Sequence, residues 1–133
     1  MRIRYTMGHT VTDEARRFLL VTAGAIPGAL LRWEAAVQLG PCLPPGGSDL
    51  LVNGVGSLLL GWLVTRPFRQ DLQLLLGAGF CGSLSTFSSW MLVTVRLQQQ
   101  GFVMGLLWLA LGLAVGLAMA WLGQRLGQGR RPS

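Results

Sequence analysis

Charge is what this chain has least of. Only 12% of its 133 residues are Asp, Glu, Lys or Arg, against about a quarter in a soluble domain. Lysine is missing altogether, so every basic residue is an arginine. The five acids, Asp13, Glu14, Glu34, Asp49 and Asp71, stand at the ends of apolar runs, in loops or in the N-terminal tail. Histidine occurs once, as His9 in that tail, and the two cysteines, Cys42 and Cys81, have no metal-site or CxxC spacing. These gaps exclude whole classes of function. A Ser or Cys nucleophile would have no base within reach, so the chain does not read as an enzyme. Proton-coupled transport relies on an ionisable group inside the membrane. No apolar run carries one at its middle, which argues against a small four-helix transporter of the multidrug type.

What is present is hydrophobic: 51% of residues are apolar and the mean hydropathy is +0.50. Four apolar runs cover approximately residues 18–39, 50–65, 72–95 and 102–123. A bilayer core about 30 Å thick needs roughly 20 helical residues. The predicted fold is therefore an all-α membrane protein, a single four-helix transmembrane domain over residues 1–133. The formal charge of +6 does not indicate nucleic acid, because the arginines sit beside the ends of the runs. Arg2, Arg4, Arg16, Arg17, Arg66, Arg69, Arg125, Arg130 and Arg131 fall on one side, and Arg32 and Arg96 on the other. Nine against two (seven if translation starts at Met7) places both termini in the cytoplasm by the positive-inside rule. The pair Arg16-Arg17 before an apolar run imitates a twin-arginine export signal, but three further spans follow, and it reads as a cytoplasmic anchor.

The runs differ in what they carry. In the first, Gly24 and Gly28 share a face that permits close helix approach. Pro27 removes a backbone donor and predicts a kink. Arg32 stands near the far end, either snorkelling beside Trp33 or lying in a water-filled vestibule that draws anions. In the second, Asn53, Ser57 and Gly61 recur every four residues as a small, polar stripe. The third run is the informative one. Gly77, Gly79 and Gly82 precede the hydroxyls Ser83, Ser85, Thr86, Ser88 and Ser89. Backbone at membrane depth departs from helix only where protein or water surrounds it, so the window predicts a buried break near Gly82–Ser85. Such breaks expose carbonyls suited to a small cation, while half-helix N-termini and hydroxyls suit anions. The fourth run offers Gly101, Gly105, Gly112, Gly116 and Ala120 as packing surface. Read on residues alone, this is a small oligomeric membrane protein with a polar midplane site; a structural membrane-assembly protein is the other reading.

Three segments are similar to those of the CrcB/Fluc fluoride channels: Gly24 through Trp33, Val52 through Ser57 with Gly61, and Gly79 through Ser89. The third is the specific one, since Gly-Phe-Cys-Gly-Ser-Leu-Ser-Thr-Phe-Ser-Ser reads against Gly-x-x-Gly-Gly-x-Thr-Thr-Phe-Ser-Thr-Phe. The resemblance implies a channel that passively exports fluoride from the cytoplasm across the cell inner membrane. It implies an antiparallel dual-topology dimer with a structural sodium ion at its centre, held by the backbone carbonyls of Gly82 and Ser85. Asn53, Phe87, Ser88, Ser89 and Trp90 would line the fluoride pore, with Arg32 in its vestibule. Trp90 replaces the second phenylalanine of the family pattern. The arginine asymmetry also departs from a balanced dual-topology subunit. It leaves open a homodimer or a heterodimer with an oppositely oriented paralogue.

Overall fold

The computed structural model describes residues 11–129. Arg2, Arg4, His9, Arg130 and Arg131, and both candidate start positions, lie outside the described residues. Val11–Leu39 form α1, whose first turn carries Asp13 and Glu14, acids that oppose the positive end of the helix dipole. Pro27 stands inside it and leaves the carbonyl of Ala23 without its helical donor, yet the helix continues to Leu39. A short 3-10 turn, Gly40–Cys42, ends the segment. Gly46 then adopts a left-handed φ of 82°, which a side chain would resist. A Cβ there would also come within 2.8 Å of Val93 and Trp108.

Helix α2 spans Gly47–Val64. After a short loop come α3 (Gln70–Leu72), a π-helix (Gln73–Cys81) and α4 (Gly82–Leu84). The wide turns of the π-helix persist to its end, where the N–H of Gly82 bonds the carbonyl of Gly77. Helix α5 runs over Phe87–Gln100 and α6 over Phe102–Gln128, joined at Gly101. The predicted third span, 72–95, is thus two helical pieces. The interruption falls at Ser85 and Thr86, both extended (ψ 126° and 138°), rather than beginning at Gly82. Gly82 keeps helical angles, and Ser85 still donates its N–H to Cys81 over 3.0 Å.

Glycines decide which helices touch. The π-helix packs against α1 and α2 against α6. A Cβ on Gly79 would lie 2.6 Å from the Val21 carbonyl oxygen, and one on Gly24 would fall onto the Leu75 carbonyl. In the second pair, Gly61 lies on the backbone of Ala120, and Gly123 on the carbonyl of Leu58. Backbones that meet directly gain dispersion contacts that lipid cannot supply, the association mode expected in a membrane.

Little apolar side-chain surface is internal. Val52, Leu63, Cys81, Leu84 and Trp90 make up the buried hydrophobic set, while Phe18, Leu117 and Phe102 are each more than 60% exposed. A water-soluble monomer rarely exposes so much apolar surface. Three helical segments, Val11–Cys42, Gly47–Val64 and Phe102–Gln128, are long and apolar enough to cross a bilayer. The divided stretch from 70 to 100 is not one such helix. The chain is a multi-pass membrane protein.

Candidate functional site

The break is held from outside its own segment. Asn53, on α2, donates its side-chain N–H to the Thr86 carbonyl (3.2 Å) and accepts the Thr86 N–H on Oδ1 (2.9 Å). A continuous helix would direct that N–H to the Gly82 carbonyl; here it is taken by Asn53. An Asn amide offers one acceptor and two donors in one plane, the pattern of a peptide unit. It therefore satisfies both backbone groups of one extended residue. In a medium without water each group left bare would be costly.

Thr86 then starts α5. Its Oγ1 accepts the Ser88 N–H at 3.2 Å and lies 2.9 Å from the Ser88 hydroxyl, an N-cap arrangement. Ser85 donates its hydroxyl back to the Cys81 carbonyl over 2.9 Å. Ser83 does the same to Phe80 over 3.1 Å. These two hydroxyls therefore complete the end of the first half-helix, as helical Ser often does.

A groove of about 320 Å³ opens beside the break, between α2, α5 and α6. Asn53 and Ser57 line it from α2, Ser85 and Thr86 from the break, Phe87 and Trp90 from α5, and Gly112 and Gly116 from α6. Phe87 and Trp90 meet edge to face, with centroids 5.5 Å apart and planes at 71°. Phe87 is 65% exposed, whereas Trp90 is buried. The lining carries no charge: hydroxyls, one amide and aromatic rings, with glycines and the aliphatic Leu50 and Val115 between them. Of the predicted pore residues, Asn53, Phe87 and Trp90 share this groove. Ser88 is tied to it through Thr86, and Ser89 lies half-buried outside the lining.

Arg32 sits at the opposite side of the break. It donates to the Leu84 carbonyl, the last of α4, over 3.2 Å and to Asp49 Oδ1 over 2.6 Å. The side chains of the pair are only 15% and 19% exposed. Its charge is thus balanced by a carboxylate rather than presented alone. A cation near a helix C-terminus is also favoured by the dipole. Spacing along the chain gave no sign of the Asp49 partnership, because it joins α1 to the start of α2. The Thr86 cap went unread in the sequence, although a threonine ahead of an apolar stretch is an ordinary helix-start signal.

A second groove, about 430 Å³, lies between α2 and the π-helix and includes Cys81, Gly82 and Ser85. Gly82 is exposed and Ser85 half-buried. Among the described residues no cluster of His, Cys, Asp or Glu could hold a metal. The donors available here are backbone oxygens. The Gly82 carbonyl has lost the Thr86 N–H and Ser85 stands outside the helix, so both fit a hard cation that prefers oxygen.

The relatives of this chain agree with each other. A family model described as "CrcB-like protein, Camphor Resistance (CrcB)" matches residues 19–124. The chain is 49% identical over 123 residues to "Fluoride-specific ion channel FluC 2" of Parasynechococcus marenigrum, covering 90% of this chain and 87% of that one. It is 43% identical over 125 residues to "Fluoride-specific ion channel FluC" of Ruegeria pomeroyi, covering 89% and 95%. A FluC 2 of Prochlorococcus marinus shares 50% identity over 117 residues, 86% of this chain and 84% of that one. On the matched span, which contains both half-helices, the break and the groove, the chain belongs to the CrcB-like protein family.

Proposed function

We propose that this protein is a subunit of a fluoride-selective channel that lets fluoride leave the cytoplasm passively, and that the groove beside the break is one wall of its pore. The carrying observation is the Asn53–Thr86 clamp, which holds a neutral, donor-bearing surface open at membrane depth. Fluoride is small, strongly hydrated and a strong hydrogen-bond acceptor. A pathway must replace its water with donors and still release it. Donors not committed to the backbone, the Ser57 hydroxyl and the second Asn53 amide hydrogen, do this where a buried lysine would trap the ion, and ring edges add weak attraction through the aromatic quadrupole. The relatives' printed names support the same ion.

Four membrane crossings follow if α3 through α5 count as one interrupted span. The exposed face of Phe87 leaves the groove one wall short. A second, antiparallel subunit would close it and double the Gly82 and Ser85 carbonyls around a structural sodium ion. Arg32 would serve the mouth by fixing the Leu84 carbonyl. The arginine bias favours one insertion direction per chain, so the partner is a second copy or an oppositely oriented paralogue. The inner membrane is the expected site. A multidrug-type transporter is less well supported: the acids of α1 are Asp13 and Glu14 in its first turn and an exposed Glu34 bonded by Gln38.

The test is purified protein in liposomes loaded with fluoride or chloride. Fluoride efflux, with chloride retained, is expected from the chain alone if it forms a homodimer. Silence alone and flux with a paralogue would select the heterodimer. Equal loss of both halides would refute the assignment. Replacing sodium by a large organic cation is expected to weaken subunit association, read by crosslinking.

A further inference from the structure

Two helices that end side by side carry the same pair of residues. Trp62 and Arg66 flank the end of α2, and Trp121 and Arg125 stand near the end of α6, each pair spaced by one turn. In both, the guanidinium lies over the indole ring, 5.0 Å from its centroid in the first and 4.8 Å in the second. Phe68 packs against the Trp62 ring. The Arg66 Nε is covered by protein, but Arg66 as a whole is half-buried and Arg125 is exposed. Neither has a carboxylate partner among the described residues, where the ion pairs are Arg16–Asp71 and Arg32–Asp49.

Both pairs stand at one end of the bundle. A Cβ on Gly127 would run into Thr65, which sets the end of α6 against the end of α2. The Arg16–Asp71 pair joins the start of α1 to the start of α3. With the tails counted by chain order, nine arginines and three acids, Asp13, Glu14 and Asp71, belong to this end. Arg32 and Arg96 at the other end are matched in number by Glu34 and Asp49, so the whole formal charge of +6 falls on one side. Among the described residues no arginine lies over Trp33 or Trp108, toward that neutral end.

An indole at the end of a membrane helix lies at headgroup depth. A guanidinium stacked on it is held in place, and its planar fork matches two oxygens of a phosphate. We propose that the Trp62–Arg66 and Trp121–Arg125 stacks are two seats for the phosphate of an anionic phospholipid. Exposed apolar residues on the same helix faces, Val55 two turns before Trp62 and Leu117 one turn before Trp121, meet its acyl chains. A choline headgroup brings its own cation, which the surplus of arginine opposes, whereas a glycerol headgroup brings none. This holds whichever ion the groove passes.

The test uses the full chain in nanodiscs of equal parts phosphatidylglycerol and phosphatidylcholine with the same acyl chains. Native mass spectrometry of the released protein counts the lipids it keeps. Phosphatidylglycerol is expected to be kept in preference. Arg66→Gln and Arg125→Gln are each expected to weaken its retention about fivefold, the worth of one arginine at an anionic surface, while Arg96→Gln at the other end behaves like the parent. Trp121→Leu keeps every charge, and the ring is 57% exposed, so its loss leaves the packing intact; it is expected to lower retention by unseating Arg125. Equal retention of the two lipids, or glutamine variants that match the parent, overturns the proposal. So does full retention by Trp121→Leu, which would show that net charge alone suffices. Sodium phosphate added at fixed ionic strength is expected to leave the lipid in place; release by it would assign the seats to a free anion and overturn the lipid assignment.

Discussion

Replacing Asn53 by Ala removes two hydrogen bonds at once and leaves the Thr86 N–H and carbonyl bare. Each bond contributes about 1 kcal/mol net, and each unsatisfied buried group costs about 1–3 kcal/mol. Part of that loss is recovered if Thr86 rotates toward its own segment, so the expected destabilisation is about 2–4 kcal/mol. The assay is equilibrium unfolding in mixed micelles followed by tryptophan fluorescence, paired with amide exchange at Thr86. Ser57→Ala is the control. Ser57 lies one turn further along the same stripe of the groove and makes no hydrogen bond among the described residues. Its removal should stay within about 0.5 kcal/mol. The reasoning is refuted if the two variants unfold alike, or if the Thr86 amide exchanges no faster without Asn53. Asn53→Asp sharpens the test. It keeps an acceptor for the Thr86 N–H but turns an oxygen toward the Thr86 carbonyl and places negative charge on the proposed anion path. Fluoride flux should vanish even where the fold survives.

Further outcomes are expected elsewhere. Phe87→Ala should abolish fluoride efflux while changing stability by less than about 1 kcal/mol, because the ring is largely exposed within the subunit; unchanged flux would remove Phe87 from the pore. Asp49→Ala should cost about 1–3 kcal/mol by stranding a half-buried Arg32, and Arg32→Met with Asp49→Leu should recover part of it, measured as a double-mutant cycle. Gly79→Val should prevent the π-helix from reaching α1 and lower the folded yield sharply, whereas Gly40→Ala, where a Cβ meets nothing within 4 Å, should be silent. Cys42 is exposed and Cys81 buried, both free thiols; a maleimide should label only the first in folded protein.

The helices were legible because lipid imposes a simple rule, a run of apolar residues about 20 long. The runs at 18–39, 50–65 and 102–123 correspond to α1, α2 and α6, whose polar flanking turns extend beyond the apolar part. That something interrupts the third run was readable from glycine and hydroxyl density. The window near Gly82–Ser85 included one of its two extended residues, Ser85; the corner at Thr86 was not readable, because Asn53, 33 residues earlier, captures Thr86. The Arg32–Asp49 pair was hidden for the same reason: both charges looked like helix-end residues, and only the turn at Gly46 brings them together. The π-helix left no local signature. Its wide turns set Gly79 against α1, a contact that exists only once both elements are packed.

The lone asparagine of the chain behaves as a grafted rung of main chain. By standing in for the missing neighbour of Thr86, it carries the ladder sideways from one rod to another and turns a weak joint into a welded elbow. For the proposed anion path beside it, such an elbow is a fixed wall.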